Sequence, residues 1–314
     1  MRVFVAGASG AIGRPLVRQL LAARHEVTGM TRREERAEEI RAAGASAVVC
    51  DALDATSLEI AVRGVAPEVV VHELTALPPR LDYKAKDDPL GPTNQLRREG
   101  TRNLLAAAKA AGARRLIAES VAFFYAPEGD WIKSEEEPLF LDAPAPFGNA
   151  AAALADLEQQ VLGAEGIEGI VLRYGWLYGP GTYYAHDGSL TEDALKRRAP
   201  VVGKGTGTFS FVHVEDAASA TVAALDRGSP GSYNVVDDDP APMREWAPAF
   251  AEVVGAKKPL RVPVWLARFV AGAGAASMAT RLRGASNAKA KRELGWQPRY
   301  SSWREGFRDA EARG

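Results

Sequence analysis

Three glycines at every third position, Gly7, Gly10 and Gly13, lie between an apolar run and a helical pattern near the start of the chain. Such glycines let the backbone turn sharply and approach a phosphate, while the free N–H groups of the next helix attract an anion. The position after a first strand makes the pattern specific. The sequence therefore predicts a dinucleotide site, whose pyrophosphate is bound by Gly7, Ser9, Gly10, Ala11, Ile12 and Gly13.

Two arginines, Arg32 and Arg33, follow the second strand pattern. A domain that prefers NAD would usually place an acid there to hold the ribose hydroxyls, whereas guanidinium groups can fork onto a 2′-phosphate. We therefore predict NADP(H) rather than NAD(H) as the cofactor. In the alternative interpretation, the arginines only begin a charged helix, and Glu34 or Glu35 meets a 2′-hydroxyl.

Other cofactor contacts are expected where the remaining strands end, because ligands of open α/β sheets bind at that edge. Asp51 could contact the adenine amino group, or it could cap a helix instead. The other predicted contacts are Ala52, Leu74, Thr75, Ala76, Ser120, Tyr174, Gly175 and Leu177.

Strand patterns that alternate with helical patterns must position these residues. The strand-like runs cover 2–6, 26–31, 47–50, 68–74, 114–120 and 169–174, which predicts an α/β fold with a doubly wound parallel Rossmann sheet. After Gly175 the rhythm changes, and a smaller, mostly helical C-terminal substrate lobe is expected. We assign residues 1–175 plus about 208–228 to the NADP-binding domain, and about 176–207 plus 229–314 to the lobe, with Tyr233 to Val236 as a short strand of the lobe.

The composition excludes several classes of function. The 39 basic and 40 acidic residues among 314 create no field that would recruit nucleic acid or a membrane. The apolar stretch from Val262 to Thr280 contains Arg268 and therefore suits a core helix better than a membrane span. The chain opens directly on a strand pattern, without a basic and then apolar leader, so a cytoplasmic protein is expected. Cys50, the single cysteine, lies in an apolar run and excludes a disulfide, and no metal site is predicted.

Four further blocks complete a resemblance to a known family. Together with the glycine loop, these blocks resemble the extended and atypical short-chain dehydrogenase/reductases, often labelled NAD-dependent epimerase/dehydratase. The resemblance extends over nearly the whole chain. The blocks are 100–105, 172–181, 211–218 and 286–298.

The resemblance fails at the residues that carry the family's chemistry. Its members use a Ser or Thr, and a Tyr four residues before a Lys, to pass a proton while the nicotinamide passes hydride. The aligned residues here are Val121, Phe147 and Ala151, and Arg97 stands in place of a structural asparagine. The usual proton relay is therefore absent.

Four residues are the candidate replacements for the proton relay. Tyr125 and Ser120 lie near the end of the fifth strand, and Tyr184 and His186 lie in the loop after the sixth. The tyrosines could instead be apolar walls of a pocket. Glu73, an acid in an apolar run, is a further candidate, because such a carboxylate is paired or has a raised pKa.

Three functions remain open from the sequence. The favoured one is an NADPH-dependent reductase or an epimerase/dehydratase-type enzyme that acts on a small carbonyl or sugar-like metabolite with a non-standard proton donor. The alternatives are a non-catalytic NADP(H)-sensing regulator, and a lyase, isomerase or cyclase that keeps the cofactor as a scaffold. The resemblance also implies a homodimer formed through the fourth and fifth helices.

Overall fold

The computed structural model describes residues 1–82 and 88–312. Its strands are β1 (Arg2–Ala6), β2 (Glu26–Thr31), β3 (Ser46–Val49), β4 (Val69–His72), β5 (Arg115–Val121), β6 (Ile132–Lys133), β7 (Glu168–Tyr174), β8 (Trp176–Tyr178), β9 (Val201–Val202), β10 (Thr208–Phe209), β11 (Phe211–His213), β12 (Gly231–Val235), β13 (Ala241–Pro242), β14 (Arg261–Val262) and β15 (Gly284–Ala285). Its helices are α1 (Gly13–Ala22), α2 (Glu34–Ala42), α3 (Ala55–Val65), α4 (Gly91–Gln95), α5 (Thr101–Ala110), α6 (Phe147–Leu162), α7 (Ser189–Leu195), α8 (Val214–Ala223), α9 (Met243–Val253), α10 (Val264–Arg281) and α11 (Trp303–Ala312). Two π-helical segments cover Leu96–Gly100 and Ala290–Leu294.

A seven-stranded sheet in the order β3-β2-β1-β4-β5-β7-β12 forms the centre of the fold. All its strand pairs are parallel; Val5, for example, lies opposite Gly29 on one side and Val71 on the other. The predicted doubly wound parallel Rossmann sheet is therefore confirmed. The predicted strand spans agree with the observed ones to within two residues at each end.

Both faces of the sheet are covered, which explains the continuous apolar strands in the sequence. Val3 and Val5 of β1 belong to a core that includes Leu16 of α1. Phe4, which points the other way, belongs to a core that includes Leu58 of α3.

The seventh strand corrects the predicted domain organisation. The sequence placed Tyr233 to Val236 in the C-terminal lobe, yet β12 pairs in parallel with β7 and forms one edge of the central sheet. Tyr233 and Val235 are fully buried in the same core as α1 and α8, so this strand is held by the Rossmann domain. The other domain boundaries remain predictions.

The lobe contains α7, α9, α10 and α11 with two-stranded sheets. Its core is aromatic and contains Tyr184, Phe211, Trp246, Phe250 and Phe307. Within the described residues, no helix is long and apolar enough to cross a membrane.

A buried polar network joins β5, β7 and α6. Arg173 lies 2.6 Å from Glu158 in an ion pair whose side chains are both 8% exposed. The Ser120 hydroxyl donates to the same carboxylate at 2.6 Å, and Arg173 donates to the Tyr125 hydroxyl at 2.9 Å. The Tyr125 hydroxyl donates in turn to Asn234 of β12 at 2.7 Å. The network therefore fixes α6 against the end of the sheet.

A buried histidine connects β4 to α5. His72 has a ring nitrogen 3.0 Å from the Thr101 hydroxyl, and its other nitrogen accepts the Leu74 N–H at 3.2 Å. Burial lowers the pKa of His72 to about 4. The imidazole is consequently neutral in the folded protein at neutral pH.

The buried ion pair yields a stability prediction. Glu158→Leu leaves the Arg173 guanidinium buried without its carboxylate, which costs about 3–5 kcal/mol of unfolding free energy. The double variant Glu158→Leu/Arg173→Met regains part of that loss, because it leaves no buried charge. Urea unfolding of both variants measures the difference. A single variant as stable as the wild type would contradict this role of the ion pair.

The depressed pKa of His72 predicts a pH dependence. As the pH falls below about 6.5, the unfolded chain binds a proton at this residue before the folded chain does. Stability therefore decreases between about pH 6.5 and 4, by a total on the order of 3 kcal/mol. Unfolding of the wild type and of His72→Asn across this range measures the effect. An unchanged pH dependence in the variant would refute it.

Candidate functional site

The glycine loop has a geometry that only glycine can provide at two positions. Gly7 has a φ of +93°, and a Cβ there would lie 2.3 Å from the carbonyl oxygen of Glu73. A Cβ on Gly13 would lie 2.2 Å from the carbonyl oxygen of Gly7. No side chain caps α1 and no acid lies in its first turn. The loop and the start of α1 thus fit the pyrophosphate of a dinucleotide.

The end of β2 carries cationic rather than acidic side chains. Arg32 and Arg33 are exposed, and within the described part of the chain neither pairs with a carboxylate. Glu34, the residue of the alternative interpretation, lies 2.6 Å from Arg41 instead. The hydroxyls of Ser9 and Thr31 lie 3.4 Å apart. This edge is suited to an additional phosphate on the adenosine ribose.

The ends of β3 and β4 form further walls. Asp51 is exposed and accepts the Leu53 N–H at 3.0 Å, whereas Asp54 caps α3, so the helix-cap interpretation of Asp51 is wrong. The Ala52 carbonyl accepts a hydrogen bond from the Asn103 side chain at 2.9 Å. This contact was not predicted, although Asn103 lies in the segment 100–105 that resembles the family.

The segment after β4 is held by two side chains. Leu74 donates its N–H to His72, and Ala76 donates its N–H to the Thr93 hydroxyl at 3.0 Å. Thr75 between them is exposed. These bonds fix the backbone of the predicted cofactor wall.

The loop after β8 approaches the glycine loop. A Cβ on Gly181, which has a φ of +78°, would lie 3.7 Å from Ala11. Tyr183 from the same loop donates its hydroxyl to the Pro78 carbonyl at 2.8 Å, and burial raises the pKa of Tyr183 to about 12. The loop therefore spans from the glycine loop to the segment after β4.

Apolar side chains occupy the positions of the family's proton relay. Phe147 is 5% exposed and Ala151 is fully buried, in a cluster with Phe124 and Leu154, and Val121 packs against it. Met278 of α10 packs on the same cluster. The three relay positions therefore supply no acid or base.

The four predicted replacements lie in different places. Ser120 and Tyr125 belong to the buried network, and burial raises the pKa of Tyr125 to about 12. Tyr184 packs among the lobe aromatics, with its ring stacked 5.8 Å from that of Phe307, while His186 is exposed. The structure therefore brings Ser120 and Tyr125 into one network and places Tyr184 and His186 outside it.

Glu73 packs against Gly7 of the glycine loop, and Tyr174 is hydrogen-bonded to Glu73. The Tyr174 hydroxyl donates to Glu73 at 2.8 Å and lies 2.7 Å from the Thr221 hydroxyl. Burial, and then the nearby Glu119 carboxylate, raise the pKa of Glu73 well above its usual range. Glu73 is thus a buried, hydrogen-bonded carboxyl group that packs against the glycine loop.

Two pairs of residues near the end of β5 were not predicted as parts of the site. Phe123 and Trp176 stack with ring centroids 4.3 Å apart, and Phe123 also packs on the Phe147 cluster. Arg97 lies 3.6 Å from Glu119, with both side chains buried. The aromatic identity of Phe123 and Trp176, each shortly after the end of a predicted strand, was the available signal.

Comparison with known proteins agrees with this geometry. A model of the NAD-dependent epimerase/dehydratase family matches residues 3–236. The chain is 45% identical over 311 residues to a 3-diazoavenalumate denitrifying reductase from a Streptomyces species, covering 98% of this chain and 99% of that protein. It is 26% identical to a 2-alkyl-3-oxoalkanoate reductase from Stenotrophomonas maltophilia, covering 82% and 77% of the two chains.

A solved structure agrees on the fold. The UDP-glucose 4-epimerase of Thermus thermophilus, in complex with NAD, superposes with a TM-score of 0.76 at 25% identity, covering 100% of this chain and 99% of that one. The family match and the 45% identity together show that the chain belongs to the NAD-dependent epimerase/dehydratase family.

Proposed function

We propose that this protein is an NADPH-dependent reductase that removes the diazo group of a small molecule as N₂. The observation that carries the proposal is the combination of a glycine cradle suited to a dinucleotide with Val121, Phe147 and Ala151 at the relay positions. Such a site can orient a cofactor but offers no tyrosine and lysine to supply a proton.

The relatives point to reduction and to this substrate class. The 45% identical relative is named for denitrifying a diazo compound, and a more distant relative is named as an oxoalkanoate reductase. Reduction of a carbonyl group produces an alkoxide and therefore needs a proton, which family members draw from their tyrosine. The apolar relay positions favour the diazo compound over the carbonyl.

Reduction of a diazonium group does not need the proton relay that this chain lacks. When bound, NADPH would supply a hydride from its nicotinamide ring. At the diazonium carbon a C–H bond forms with the electron pair of the hydride, and the C–N bond breaks with its pair leaving on N₂. Atoms and charge balance without any proton, so the reaction requires no acid.

The residues around the relay positions suit a reactive cation. The stacked rings of Phe123 and Trp176 offer π faces, which attract a desolvated cation. The buried apolar side chains of Phe147 and Ala151 exclude water, which would otherwise compete with hydride for the carbon. Binding, orientation and exclusion of water are thus the work of the protein.

Turnover of a simple probe tests the proposal. With NADPH and benzenediazonium-4-carboxylate, we expect N₂ release and NADPH oxidation in equal amounts, well above the rate with heat-denatured protein. A matched ketone, 4-acetylbenzoate, should not be reduced. Reduction of the ketone without N₂ release from the diazonium would overturn the proposal.

Variants of the four predicted donors test the absence of an acid step. Loss of a general acid usually costs about 10²–10⁴-fold in rate. We expect Ser120→Ala, Tyr125→Phe, Tyr184→Phe and His186→Gln each to retain diazonium turnover within about threefold, well inside that range. Steady-state kinetics and circular dichroism of each variant give the measurement. A folded variant that loses 100-fold or more in kcat would identify an acid and contradict the mechanism.

The preference for NADPH rests on Arg32 and Arg33. Because a charge-assisted hydrogen bond contributes about 1.5–3 kcal/mol, Arg32→Gln/Arg33→Gln should weaken NADPH binding by about 10- to 100-fold or more. NADH binding should change little. Arg268→Gln, an exposed arginine on α10, is the matched control. Calorimetric titration with both cofactors measures this, and an equal loss for both would refute contact with the 2′-phosphate.

A further inference from the structure

A cavity of about 410 Å³ lies inside the C-terminal lobe. Side chains of α7, α9 and α10 form its wall, which is almost wholly apolar and includes Met243, Trp246, Phe250 and Leu266. Its volume falls within the range of about 300–1,000 Å³ typical of small-molecule sites. Neither the residues of the glycine loop nor those of the relay positions line it.

The charged side chains of the lining all have one sign. Arg197, Arg198 and Lys257 line the cavity, and no carboxylate does. Arg198 forms ion pairs with Asp193 at 3.5 Å and with Glu192 at 3.6 Å, which balance its charge. Arg197 and Lys257 are exposed, and within the described residues neither forms an ion pair; Arg197 donates to the Lys258 carbonyl at 3.4 Å. The cavity therefore combines an apolar interior with two cations that no carboxylate balances.

We propose that this cavity binds an amphipathic monocarboxylate, with an alkyl or aryl body in the interior and the carboxylate on the cations. Arg197 presents a planar guanidinium suited to a carboxylate, and Lys257 adds a point charge. The site is separate from the hydride chemistry, since no cofactor residue lines it, and ligand binding therefore does not require NADPH.

Titration calorimetry without cofactor tests the site with two probes, octanoate and octan-1-ol. We expect one octanoate per chain, bound about tenfold or more tightly than octanol, as one charge-assisted contact would give. Arg197→Gln/Lys257→Gln should abolish this difference and leave octanol binding unchanged. Lys204→Gln, an exposed lysine outside the lining, is the control.

Two outcomes decide the proposal. Absence of octanoate binding to the wild type, or equal binding of octanoate and octanol, would overturn the proposal. Neither result would affect the diazonium assay, so failure of the two proposals can be distinguished.

Discussion

The approach of the glycine loop to the end of β4 is the contact on which the rest of the site depends. Gly7 leaves no room for a side chain against the Glu73 carbonyl, and Gly13 leaves none against Gly7. Below this contact, the Glu73 side chain is bonded to Tyr174 of β7, which itself contacts Thr221 of α8. These close contacts therefore fix the position of the loop, the start of α1 and the ends of β4 and β7.

The family's proton relay is replaced by packing. Phe147 and Ala151 lie on one face of α6, and Gly274 and Met278 of α10 pack close to the Phe147 ring. Glu158 lies on the same face of α6, about two turns beyond Ala151, and forms the ion pair with Arg173. A helix fixed at both ends of this face can keep the reaction space dry, and this suits a substrate that would be destroyed by water. The loss of the tyrosine and lysine is in this account a change of reaction that keeps the cofactor.

The sequence predicted the sheet well because buried parallel strands are continuous apolar runs separated by helical periodicity. It failed for β12, whose short pattern follows a long excursion through the lobe, and local periodicity cannot show that Tyr233 returns beside β7. The relay positions followed from the resemblance to the family, which aligns Val121, Phe147 and Ala151 with its proton relay. The partners of Ser120 and Tyr125 could not be predicted, because Glu158, Arg173 and Asn234 are distant in sequence and meet only through the sheet.

The central claim is that hydride, and no proton from the protein or solvent, reaches the carbon that loses N₂. It is tested most directly by turning over a diazonium probe in ordinary water with NADPH deuterated at the transferred position of its nicotinamide ring. The account predicts that the new C–H bond carries deuterium in full, measured by mass spectrometry of the product. A product that carries hydrogen from water, with the deuterium elsewhere, would contradict it.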